Sequence, residues 1–149
     1  MSVFRFRLET LLKLRESDRR QRQVELAEAY RAEQVLREQM DGLAAELAGH
    51  KERVRAASAG NTVDVNKLLD MNRYELILKT QSAALGQQTA QIQEEVEKRR
   101  ELVVAADREV RVLENLRERR LAAHQLAEAQ REMKELDEIS QQQTRRERR

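Results

Sequence analysis

The chain has no cysteine, no proline and no tryptophan among its 149 residues, and only four glycines. Without cysteine there is no disulfide framework, no thiolate metal site and no thiol nucleophile. Proline is the residue a helix tolerates least and glycine comes next, so very little in this chain stops a helix. Aromatic residues make up only 3%, too few for the packed core of a compact domain of this length. No run is apolar enough to span a membrane. Val3-Phe4-Arg5-Phe6-Arg7 alternates charge with apolar groups. No secretory signal is read there, because such a signal needs an unbroken apolar stretch, and a cytoplasmic location is expected. The phosphate-binding pattern G-x-x-x-x-G-K-[ST] is also missing. The two histidines, His50 and His124, lie far apart in sequence, whereas catalysis needs polar groups that converge in a water-excluded site. No catalytic, cofactor or metal site is expected.

Charge is plentiful instead. Charged residues account for 38% of the chain, and Ala, Glu, Arg, Leu and Gln dominate, the composition of long helices and coiled coils. The net charge is only +2, but it is unevenly placed. Residues 1–22 carry seven basic against three acidic side chains, and residues 143–149 carry four against one. In a hairpin both termini lie toward the same end, which makes that pole basic and the body mildly acidic. The pole is either solvated surface charge or an electrostatic contact.

Ala57-Ser58-Ala59-Gly60-Asn61-Thr62 is the one break in a pattern that otherwise reads as helix from about Leu8 to about Gln141. On the first arm, about 8–57, the positions Leu26, Ala29, Glu33, Leu36, Met40, Leu43, Leu47, His50, Val54 and Ala57 follow 3-4 spacing. Such spacing lays a single seam along a helix. Projected back, the register meets Arg22, Arg19 and Arg15 before Leu12 and Leu8. The polar stretch leaves the Leu8, Leu11 and Leu12 face either splayed or waiting for a partner. Gly60-Asn61 accept positive φ cheaply, which suits a helix stop in a turn over about 58–63, and Thr62 or Asp64 can cap the next helix.

The second arm, about 64–140, keeps its seam through Leu85, Thr89, Ile92, Val96, Arg99, Val103, Ala106, Val110 and Leu113, then shifts toward Leu116, Ala123, Leu126 and Met133. Glu94 with Lys98, Glu95 with Arg99 and Asp107 with Arg111 are opposite charges four apart, each worth about 0.2–0.5 kcal/mol on a helix surface. The predicted fold is all-α, a single antiparallel two-helix coiled-coil hairpin over 1–149. At 1.5 Å per residue the arms reach roughly 75 and 115 Å. A helical hairpin places residue i opposite roughly residue 121 − i. His50 then faces about Met71, and His124 lies beyond the paired region. The basic tail, 141–149, has no apolar face and is expected to be disordered. A rod of this kind has no pocket. Its basic ends leave open a second reading, a nucleic-acid-binding arm or scaffold hairpin. Interleaved acidic residues and scarce aromatics count against the nucleic-acid form of it.

Phe6-Arg7-Leu8-Glu9-Thr10-Leu11-Leu12-Lys13-Leu14-Arg15 opens the chain. Gly60-Asn61 is followed by Asn72-Arg73-Tyr74 with Leu78 one turn on, and Leu136-Asp137-Glu138 precedes the basic tail. Together these segments resemble the flagellar type III export protein FliJ family. The resemblance implies an antiparallel coiled coil similar to the rotor stalk of rotary ATPases. It implies a cytoplasmic, non-enzymatic protein, peripherally associated with the membrane-bound export apparatus and without a cofactor. Its partners would be the hexameric export ATPase, the cytoplasmic domain of the export-gate membrane protein, and export chaperones. The expected ring contact is Phe6, Leu8, Leu11, Leu12 and Arg15, at the basic pole. Carried over from the family, the gate contact becomes Gln39, Leu43 and His50 on the first arm with Leu76 and Ala83 on the second. The family's aromatic preference is not met at His50 or Leu76, and Leu43 also lies on the seam, where a core role is open to it.

Overall fold

The computed structural model describes residues 3–147, with side chains described as far as Arg145. Two helices make up the fold, α1 (Glu9–Ser58) and α2 (Val65–Glu147), packed against each other as an antiparallel hairpin, with no strand among the described residues. Helix α2 continues past 140 to Glu147, and every described side chain after Ile139 is exposed. The side chains of Arg146 and Glu147, and Arg148 and Arg149 entirely, lie outside the described residues.

Local chemistry sets the helix ends. The Glu9 N–H donates to the Phe6 carbonyl at 3.1 Å, and Glu9 places a carboxylate in the first turn of α1, where the helix dipole favours negative charge. At the other end Ser58 Oγ donates to the Val54 carbonyl at 2.8 Å, and the Ala59 N–H donates to the Arg55 carbonyl at 3.1 Å. These bonds take up carbonyls that a helix end leaves without partners. Asp64 caps α2: its Oδ1 accepts the Asn66 and Lys67 N–H groups at 3.0 and 3.3 Å, as an N-cap carboxylate does. Thr62 does not share that role.

The connection differs from expectation in one respect. Neither Gly60 nor Asn61 adopts positive φ, and no other described residue does. The last helical bond runs from the Ala59 N–H to the Arg55 carbonyl, and the connection, residues 59–64, reverses the chain without a left-handed residue.

The chain divides into two compact units, Met1–Gln21 with Val104–Arg149, and Arg22–Val103. In the second unit the predicted seam is where the helices touch: Ala29, His50 and Val96 are buried, every other predicted seam position there is at least partly buried, and buried Leu78 continues the contact toward the connection. Thr89 Oγ1 meets Met40 Sδ at 3.2 Å, and the Arg99 guanidinium donates to the Glu25 carbonyl. Met40 therefore pairs well outward of residue 81, which the simple count from the turn indicates.

In the first unit Phe6, Leu12, Ala106 and Val110 are buried. Residues 3–8 precede the helix, and the Phe4 ring lies beside that of His124, tilted by 44° with ring centroids 5.6 Å apart. The expectation that His124 lies past all pairing is overturned. Non-helical backbone covers up to about 3.3 Å per residue against 1.5 Å for helix, so the N-terminal strip reaches farther along α2 than a residue count allows. Beyond Leu116 the packed side of α2 carries half-buried His124 and Glu128, while Ala123, Leu126 and Met133 are exposed. The expected seam shift toward those residues does not describe the packed face.

Glycine supplies the test of this backbone. A Cβ added at Gly42 or Gly86 meets nothing within 4 Å, and at Gly60 only the Thr62 carbonyl at 3.7 Å. Gly42→Ala and Gly86→Ala are each expected to stabilise the chain by about 0.5–1 kcal/mol in chemical denaturation. Gly60→Ala is expected to cost nothing. A loss above about 1 kcal/mol there would show that the connection needs a left-handed residue after all.

Candidate functional site

Two surfaces follow from the sequence, one in each unit. In the first unit Phe6 and Leu12 are 7% and 2% exposed and close on Val110, with Phe4, Leu8, Leu113 and Leu116 packed around them. Arg120 stands over the Phe6 ring at 6.0 Å. The leucine face is thus not left unsatisfied: Leu12 and Leu8 pack on α2, and Leu11, 37% exposed, remains at the surface. Nor do the arms splay at Arg15 and Arg19. Arg15 pairs with Glu109 at 2.9 Å and Arg19 with Asp107 at 3.0 Å, and the second Asp107 oxygen takes Arg111 at 2.8 Å. Arg117 pairs with Glu9 at 3.5 Å. Carboxylates on α2 fill the places where the seam register puts arginine on α1, which keeps the helices together where apolar contact lapses. Pairs this exposed contribute roughly 0.2–1 kcal/mol each, so they fix register more than stability.

The surface near the connection belongs to the second unit. His50 is 3% exposed, and its Nε2 lies 2.8 Å from the Met71 carbonyl oxygen. A carbonyl can only accept, so Nε2 carries the proton and donates. The residue number expected to face His50 is the one found. The Tyr74 ring stands edge-on to the imidazole at 5.1 Å, and its hydroxyl donates to the Glu46 carboxylate. That bond, helped by partial desolvation and by the Glu46 charge, pushes the Tyr74 phenol above its ordinary value of 10.0. Glu75 is held below the ordinary 4.5, chiefly by its bond to Lys79 at 2.7 Å.

The structure does not bring the five expected gate residues to one place. Gln39 and Leu43 line a shallow groove with Glu46, Gln81, Ala84 and Leu85. His50 lines another, with Asp64, Asp70 and Tyr74. Leu76 is 66% exposed and Ala83 is exposed, and neither lines those grooves. Seven residues apart, the two share a helix face. That face lies about 200° around α2 from buried Leu78, two residues on from Leu76, and so points away from α1. The sequence reading missed Glu46 as partner of Tyr74 and Phe4 as partner of His124. Tyr74 facing the seam histidine was the available signal for the first. Nothing in a heptad count gives the second.

Among the described residues no group of three or more His, Cys, Asp or Glu is placed to hold a metal ion, and no helix is long and apolar enough to cross a membrane. No described buried side-chain nitrogen or oxygen lacks a hydrogen-bond partner. What the surfaces present is grooves and faces along paired helices, which defines the class: an all-α helical hairpin of the coiled-coil kind. Over residues 4–149 the chain matches the family model described as Flagellar FliJ protein, and it belongs to that family. Membership makes it a component of the flagellar export apparatus. No curated protein and no solved structure matches it.

Burial separates the two leucines. Leu12→Ala is expected to destabilise the chain by about 2–4 kcal/mol, the cost of emptying an enclosed site, and Leu11→Ala by under about 1 kcal/mol, read by thermal melting followed by circular dichroism. Tyr74 gives a second check. In a Tyr30→Phe background its phenolate absorbance is expected to rise above pH 10, and Glu46→Gln is expected to bring that transition down. The neutral phenol is the form the fold holds. Its contribution to stability is therefore present below the unfolded-state value and is lost as pH rises through the raised one.

Proposed function

We propose that this chain is the non-enzymatic stalk of the flagellar type III export apparatus, inserting into the hexameric export ATPase and contacting the export gate and export chaperones. The observation that carries this reading is the family match across nearly the whole chain. The absence from the sequence of a phosphate-binding glycine loop agrees with a protein that couples to ATP hydrolysis without performing it.

The ring contact falls at the N-terminal pole. Leu11 at 37% exposure and Arg15, whose side chain is 43% exposed, are the members of that set able to touch a partner directly. Phe6, Leu8 and Leu12 face α2, and their part is to hold the first turns of α1 in place. For the gate, Gln39 and Leu43 offer a groove and Leu76 with Ala83 an exposed face on another side of the same unit. Buried His50 supports the groove side from beneath through its bond to the α2 backbone. The peripheral, cytoplasmic location belongs to the same proposal.

Addition of the purified chain is expected to raise ATP hydrolysis by its cognate export ATPase several-fold. Leu11→Ala with Arg15→Ala is expected to lower that stimulation with little change in melting temperature. Hydrolysis by the chain alone, surviving stringent purification, would contradict the proposal. Recovery of RNA instead of a hexameric ATPase in a pull-down from native cytoplasm would favour the nucleic-acid reading.

A further inference from the structure

The part of α2 beyond the N-terminal strip carries a second apolar stripe that no described residue of its unit covers. Leu126, Met133 and Leu136 are 62%, 66% and 66% exposed. With Ala122 and Ala129 they keep 4-3-4-3 spacing, which aligns them along one side of the helix. Leu126 comes two residues after His124, the residue that packs on Phe4. Two residues turn a helix by about 200°, so Leu126 faces nearly opposite to His124, while Ala129 at the near edge of the stripe and the flanking Glu132 border the groove that Phe4 and His124 line. It uses none of the residues assigned to the ring or the gate.

The flanks of the stripe say what it fits. In the heptad that makes Leu126 and Met133 equivalent, the positions bordering the stripe are Ala123, Gln125, Gln130, Glu132, Asp137 and Ile139. No basic residue is among them. Residues 122–140 hold five acidic and two basic side chains, and one of the basic ones, Arg131, is paired with Glu128 at 3.2 Å. Flanking charges of this kind choose the partner in helix pairing. A second copy of the same stripe would set Glu132 against the other copy's Asp137 in a parallel pair and against its Glu132 in an antiparallel one, which is unfavourable.

We propose that Leu126, Ala129, Met133 and Leu136 form a docking face for an amphipathic helix of a partner protein whose apolar stripe is bordered by lysine or arginine. The partner lays its apolar positions along this stripe and sets its basic flanks against Glu132 and Asp137. Contact needs no groove, because the leucine and methionine side chains already stand exposed along the helix.

Two synthetic three-heptad peptides test this on the full-length chain by fluorescence anisotropy. Both carry leucine along one stripe; one has lysine at the bordering positions and the other glutamate. The lysine peptide is expected to bind at least tenfold more tightly than the glutamate peptide, with the difference shrinking as salt rises. Leu126→Gln with Leu136→Gln is expected to abolish binding, and these exposed positions leave the melting curve unchanged. Glu132→Lys with Asp137→Lys is expected to reverse the preference between peptides without removing the stripe. Equal binding of both peptides, or no binding of the lysine peptide, overturns the proposal. Dimerisation of the chain alone, lost in the Leu126→Gln, Leu136→Gln variant, overturns it in favour of a second copy.

Discussion

Two paired helices can bury only the stripe along which they touch, and in this chain few residues along that stripe are fully enclosed. The buried apolar residues are Phe6, Leu12, Ala106 and Val110 in one unit and Ala29, Leu78 and Val96 in the other. The other seam side chains are only partly buried and lack packing partners on their open side, so they specify the mutual position of the helices weakly. Specification falls to polar side chains that reach across: Arg15 and Arg19 in the first unit, His50 and Arg99 in the second. Each stands where a heptad would place a hydrophobe. The register of the fold depends on them, because a slip by one turn would separate every one of these pairs at once.

The seam was legible because its signal is periodic and its consequence local. All the positions counted out from Leu26 to Ala57 and from Leu85 to Leu113 are buried or partly buried. The predicted i,i+4 pairs of Glu94, Glu95 and Asp107 also form, at 3.1, 2.8 and 2.8 Å. What the periodicity could not supply was the match between the two arms. Counting outward from the connection gave His50 its correct partner, but farther out Thr89 meets Met40. Residues 3–8 then extend the pairing in a conformation that has no helical period. The polar lapse at Arg15, Arg19 and Arg22 was visible in the first arm, but its answer, Asp107 and Glu109, sits some ninety residues away on a face that reads as ordinary solvated charge.

The candidate surfaces were less legible than the fold for the same reason. A heptad assigns a residue to the seam or to solvent and says little about the sides between. Gln39, Leu43, His50, Leu76 and Ala83 look like one stripe when listed by number. In three dimensions they fall on a groove, an interior position and an outward face. Leu8, Leu11 and Leu12 likewise read as one apolar patch but divide between the packed side and the surface.

The acceptors reached by the polar seam residues differ between the units. His50 and Arg99 end on the main-chain oxygens of Met71 and Glu25. Arg15 and Arg19 end on the carboxylates of Glu109 and Asp107. Every amino acid brings a main-chain oxygen to its position, so positions 25 and 71 are free to drift without breaking their link. Positions 107 and 109 are not, because exchanging either acid strands an arginine, and a change on one helix calls for an answering change on the other. Over evolutionary time the first unit should therefore carry its register as correlated pairs. In the second, the seam anchors His50 and Arg99 are single residues whose importance no correlation would betray.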